Sequence, residues 1–99
     1  MIKALVERRV RKKNYEKLID YLIDLRAAAL HQPGYVSGET LVKGEEPIDV
    51  LTISTWMSED YWKAWTTSEV RITLSDIIEH LIEGDEKVNI YKLPFGEES

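Results

Sequence analysis

The sequence predicts an α+β fold: a ferredoxin-like, split βαβ arrangement in the order β-α-β-β-α-α-β, with a four-stranded antiparallel sheet. Three observations predict it. Strand-like stretches at residues 2–10, 35–42, 49–56 and 87–93 are separated, first from second and third from fourth, by apolar stripes at helical spacing. The link at residues 43–47 is short and holds Gly44 and Pro47, which suits an antiparallel hairpin. All three tryptophans, Trp56, Trp62 and Trp65, fall in one strand-to-helix stretch, LTISTWMSEDYWKAW, which must anchor a core or line a cavity.

Each element has its own signal. In residues 2–10, Ile2, Ala4, Val6 and Val10 share one face and Lys3, Leu5, Glu7 and Arg9 the other; Arg8 breaks the apolar face and needs a partner or an opening. A polar turn follows, with Asn14 as a candidate N-cap. The helix expected at residues 15–31 carries Tyr15, Leu18, Ile19, Leu22, Leu25 and Ala29 on one stripe, places His31 in its last turn, and stops at Pro33 and Gly34. Gly38 within the second strand suggests a bulge or a close approach of another backbone. Ser58 and Ser68 are N-cap candidates, with Glu59, Asp60 and Glu69 suited to the first turns that follow. The last helix is expected to bury Val70, Leu74, Ile77, Ile78 and Leu81 and to end at Gly84.

Composition narrows the classes. A chain of 99 residues with 43% hydrophobic and 31% charged content suits one soluble domain, taken as residues 1–95 with a flexible tail at 96–99. A net charge of −5 argues against a nucleic-acid partner, and no apolar run is long enough to predict a membrane span. The opening MIKALVERRV does not read as a secretory leader, and the absence of cysteine excludes thiolate chemistry and fits a cytoplasmic location. No histidine pair has metal-ligand spacing, and no Gly-rich phosphate loop or nucleophile elbow is present. Strands one, three and four carry apolar residues on both faces, whereas the helices can cover only one. The expectation is a homodimer built sheet against sheet.

Four stretches, IKALVERRV, LRAAALHQPGYVSGETL, LTISTWMSEDYWKAW and KVNIYKL, together resemble the antibiotic biosynthesis monooxygenase domain family. The resemblance implies a dimeric α+β barrel with a pocket between sheet and helices in each subunit. Some members oxidise phenolic or quinol-like aromatics with O2 and neither metal nor flavin, the substrate itself activating oxygen. A related branch degrades haem with an asparagine on the first strand, a tryptophan late in the short helix and a histidine on the next helix. Trp65 falls at the tryptophan position, but Arg8 and Ser75 stand where the asparagine and histidine would be. His80 lies five residues beyond Ser75, about 140° round the helix, and cannot replace that ligand.

The candidate site residues follow. Trp65 is a candidate wall for a flat ligand, with Tyr15, Leu74 and Ser75 as further substrate-binding positions, whereas Trp56 and Trp62 read as core. Arg8 is either half of an ion pair or an anchor for an anion or phenolate in the pocket. His80 is a candidate proton acceptor, against a solvated structural role; His31 reads as surface. The functional expectation is a cofactor-independent monooxygenase acting on a small hydrophobic aromatic. The alternatives are a non-catalytic small-ligand binder on the same scaffold and, more weakly, haem binding.

Overall fold

The structure, a computed structural model, describes residues 1–94. The expected tail at residues 96–99 lies outside them. The elements are β1 (Ile2–Val10), α1 (Lys12–Ala29), β2 (Tyr35–Lys43), β3 (Ile48–Trp56), α2 (Glu59–Thr66), α3 (Glu69–Glu79) and β4 (Lys87–Lys92). The four strands form one antiparallel sheet in the order β2-β3-β1-β4. This is the expected α+β, ferredoxin-like architecture.

Register assigns the two faces. Ile2, Ala4, Val6, Arg8 and Val10 of β1 lie opposite Trp56, Ser54, Thr52, Val50 and Ile48 of β3. This set faces the helices and forms the core with Leu18, Leu22, Leu25 and Ala29 of α1, Trp62 and Trp65 of α2, and Ile78 and Ile82. The other face pairs Leu5 with Ile53 and Leu51 with Leu41, and no helix covers it.

Three local expectations are corrected. Asn14 does not cap α1: the helix starts at Lys12 after an extended Arg11, and the Asn14 side chain instead donates to the Leu81 carbonyl at 3.4 Å. His31 lies beyond the end of α1, which stops at Ala29, and is exposed. On α3 the buried stripe is rotated from the one expected. Arg71 and Ile78 are buried, and Ile82 just beyond, while Val70 and Ile77 are 40% and 38% exposed. The physical reason is that a charged residue, Arg71, occupies the inward stripe, so counting apolar residues alone set the helix face wrongly. Ser58 and Ser68 cap as expected, accepting from the backbone N–H groups of Tyr61 and Arg71.

Two glycines fix the walls of the future site. Gly38 follows a register shift between Tyr35 and Ser37, as a bulge predicts, and both the Tyr35 hydroxyl and the Ile53 carbonyl approach it. Gly34 has φ +82° and lies under the ring of Tyr61, while its carbonyl accepts from the Met57 N–H at 2.8 Å. Gly34→Ala adds a left-handed backbone cost of about 1–2 kcal/mol and drives a Cβ into the Tyr61 ring, so the total loss should reach at least about 2 kcal/mol. Urea unfolding measures it, and an unchanged midpoint would show that the corner between α1 and β2 is not constrained in this way.

Candidate functional site

A cavity of about 60 Å³ lies between the helix-covered face of the sheet and the helices. Its aromatic wall comes from the β3–α2 corner. Trp56 ends β3 fully buried, and its indole N–H donates to the Ser54 hydroxyl at 3.0 Å. Trp62 and Trp65, three residues apart on α2, present the same helix face to it. The Trp56 and Trp65 rings stack at 6.2 Å and 25°, Trp62 meets Trp56 edge-on at 5.9 Å and 67°, and Tyr35 closes the row at 5.3 Å and 83°. All three tryptophans border the cavity, so the expected division between a pocket tryptophan and two core ones does not hold. Each is both wall and core.

Leu22, Leu25 and Ala29 of α1 and Val6 of β1 complete the apolar lining. The polar lining is sparse. Thr52 on β3 has a buried hydroxyl with no hydrogen-bond partner among the described residues. Such an orphan costs about 1–3 kcal/mol and marks a place where a water or a ligand oxygen completes the structure. Arg26, Glu39 and Thr40 on the lining are exposed and mark the mouth between α1 and β2.

Two guanidiniums are built into the wall. Arg8 is 4% exposed and gives its Nε and Nη2 groups to one oxygen of Glu86 at 2.8 and 2.7 Å. Chain topology makes this pair: Glu7 lies opposite Lys87 in the β1–β4 ladder, so Glu86 falls beside Arg8 one step on. Arg71 is 7% exposed, lies 4.0 Å from the second Glu86 oxygen through Nη2, and donates to the Ser75 hydroxyl through Nη1. Burial pushes the Arg71 pKa down, the positive charge of Arg8 adds to this, and Glu86 opposes it. The ion pair expected of Arg8 is present, it forms within one chain, and the Arg8 side chain also borders the cavity.

The structure distributes the other candidates differently. Trp65 and Arg8 line the cavity; Tyr15, Leu74, Ser75 and His80 do not. Tyr15 and Leu74 pack half-buried against the core. Ser75 stands behind the wall as the acceptor for Arg71, and His80 is the exposed C-cap of α3. Sequence reasoning missed Arg71, Thr52, Tyr35 and Glu39. For Arg71 the signal was present, since a stripe drawn through Ile78 and Ile82 contains it at helical spacing.

Haem does not fit the residues present. Neither histidine borders the cavity, Ser75 is engaged by Arg71, and a volume of about 60 Å³ is far too small. Among the described residues, no three His, Cys, Asp or Glu side chains gather into a metal-binding group. No helix of the described residues is long and apolar enough to cross a membrane.

The sequence model of the antibiotic biosynthesis monooxygenase family matches residues 1–71. The chain belongs to that family. Solved structures repeat its fold at low identity. A conserved protein from Methanosarcina mazei superposes with a TM-score of 0.85 at 14% identity, covering 92% of this chain and 90% of that one. A conserved protein of unknown function from Bacteroides thetaiotaomicron gives 0.82 at 23% identity, covering 93% and 96%. SnoaB, a cofactor-independent oxygenase from Streptomyces nogalater, gives 0.75 at 13% identity, covering 99% and 98%. At these identities the likeness carries the fold and not the activity. No curated protein matches the chain.

Removing the carboxylate from the wall tests its electrostatics. Glu86→Gln keeps the shape but leaves two buried guanidiniums facing each other. A broken buried pair costs roughly 3–5 kcal/mol; because Glu86 is 26% exposed, about 2–4 kcal/mol is expected. Urea denaturation at neutral pH reads it, and a change below about 0.5 kcal/mol would mean that solvent already screens the cluster.

Proposed function

We propose that this family member is a cofactor-independent monooxygenase acting on a small electron-rich aromatic of the phenol or quinol type. The observation that carries the reading is one cavity walled by Trp56, Trp62 and Trp65 that also holds an unpaired buried hydroxyl, Thr52, and two buried guanidiniums. Indole faces suit a flat ring, and the hydroxyl suits its oxygen. The cavity volume of about 60 Å³ is well below that of a drug-sized site, so a single-ring compound entering through the mouth is the scale that fits.

The chemistry asked of the protein is modest. The overall change converts a phenol to a quinone. One atom of O2 becomes the new carbonyl oxygen, the other leaves as water, and all four electrons come from the ring. The phenol must first lose its proton. Arg8 and Arg71 would stabilise the phenolate in a desolvated space where such interactions are strong. Glu39, the only carboxylate on the lining among the described residues, would take the proton to solvent. His80 is too exposed and too remote from the lining for that role in one step. The position of Glu39 at the mouth also favours the second reading, a binding protein without turnover, because among the described residues the cavity interior holds neither a carboxylate nor a histidine.

Oxygen consumption with a panel of single-ring quinols and phenols separates the two readings. Wild-type protein should raise uptake above the protein-free rate, and Trp65→Ala should lower it by about tenfold or more while the protein stays folded by circular dichroism. Ligand binding with no uptake for any compound would leave the binding protein as the answer.

A homodimer belongs to the same proposal. Leu5, Ile53, Leu51 and Leu41 form two adjacent apolar rows on the sheet face that no helix covers, and Leu41 is 50% exposed. A second copy packed there would bury them and complete the barrel expected of the family. A cytoplasmic location is likewise proposed, supported by the lack of cysteine. Light scattering should return twice the 11.5 kDa chain mass, and Ile53→Asp should return one. An Ile53→Asp chain that stays dimeric would place the interface elsewhere.

A further inference from the structure

The charge of the cavity wall does not balance. Arg8 and Arg71 are both buried, and a single carboxylate stands between them. Glu86 gives its close contacts to Arg8, at 2.7 and 2.8 Å. Arg71 faces the second oxygen at 4.0 Å, beyond hydrogen-bond distance, and its other amino group donates to Ser75, which is neutral. A guanidinium does not shed its charge at neutral pH, and a desolvated charge without a full partner is strongly unfavourable. The lining repeats the imbalance. Its charged members are Arg8, Arg26, Arg71 and Glu39, and Glu39 is exposed at the mouth. The cavity is thus an apolar space with aromatic walls and an excess of positive charge at its polar end.

We infer that the ligand of this cavity is a hydroxyaryl carboxylate, whose carboxylate Arg71 binds while the ring lies against Trp56 and Trp65. The planar fork of a guanidinium matches the planar carboxylate, which is also small enough for a space of about 60 Å³. Arg26 at the mouth supplies the first attraction for an anion. Arg8, held by Glu86 in two bonds, keeps the carboxylate of Glu86 from swinging to Arg71 and neutralising it. With Arg71 given to the carboxylate, Arg8 and the Thr52 hydroxyl are left for the phenolic oxygen. This rests on the reading of the cavity as an aromatic-ligand site and narrows it to acids.

Calorimetric titration of the full-length protein under anaerobic conditions tests it, with 2,5-dihydroxybenzoate, its methyl ester and hydroquinone as probes. The acid should bind at least about tenfold more tightly than either neutral compound, as a desolvated charge-assisted pair requires. In Arg71→Gln that preference should fall to about twofold or less, and Arg71→Lys, which keeps the charge but not the fork, should retain part of it. The wild-type comparison stands even if a variant does not fold. Equal affinity for acid and ester, no binding of the acid, or a preference that survives in folded Arg71→Gln would each overturn the inference. Oxygen uptake measured in parallel keeps the two proposals apart. Uptake with hydroquinone and no preference for the acid would remove the carboxylate and leave the oxygenase. Acid-selective binding without uptake would do the reverse.

Discussion

One carboxylate shared between two buried guanidiniums sets the geometry on which the cavity depends. Glu86 precedes β4, Arg8 lies on β1 and Arg71 on α3, so the cluster ties an edge strand, a central strand and a helix at one point. Around it the chain is locally over-determined. Ile82 bridges to Val10, and the Glu83 N–H donates to the Arg9 carbonyl at 2.7 Å, which brings the segment after α3 alongside β1 and delivers Glu86 to Arg8. The rotation of α3 follows. A helix placed by its apolar residues alone would turn Val70 and Ile77 inward; turning Arg71 inward instead exposes them in exchange for the ionic contact. Replacing such clusters by apolar residues is often neutral or stabilising, so stability alone does not account for this one.

The fold was legible because its signals are local and redundant. Alternation in β1, the hairpin link at Gly44 and Pro47, the two serine caps and the tryptophan stretch each point the same way, and the element order they imply is the one observed. The site was legible only in part. Arg8 was visible as a charge in an apolar strand, and Trp65 through the family resemblance. Glu86 carried no signal at all, because its importance comes from a side-chain ion pair with a residue nearly eighty positions earlier. Arg71 was hidden for a different reason. It sits beside enough apolar residues that a plausible but wrong helix face could be drawn without it, and only the packing of α3 decides between the two. His80 and Tyr15 drew notice as chemically capable side chains, yet capability says nothing of direction, and both lie away from the cavity lining.

The sheet gives its two faces different physical tasks. The helix-covered face holds the core and the cavity, with Trp56 fully buried at their junction. The other face is amphipathic: Lys3 donates to Thr55 at 2.8 Å, and Arg9 meets Asp49 across β1 and β3 at 2.8 Å, on either side of the Leu5–Ile53 pair. The Arg9 guanidinium holds the Asp49 carboxyl below its usual range, so the apolar centre of this face lies within a polar frame.

A cavity at the centre of so small a protein is itself informative. The orphan Thr52 hydroxyl costs about 1–3 kcal/mol, and a one-domain chain has little stability to spare. The walls resist collapse because they are stiff. Trp56 is clamped through Ser54 and by the rings of Trp62, Trp65 and Tyr35, while the missing Cβ of Gly38 is what admits the Tyr35 hydroxyl beside β2. One cavity thus borders an unpaired hydroxyl and an under-compensated guanidinium, each unfavourable alone, and a ligand with two oxygen functions would satisfy both.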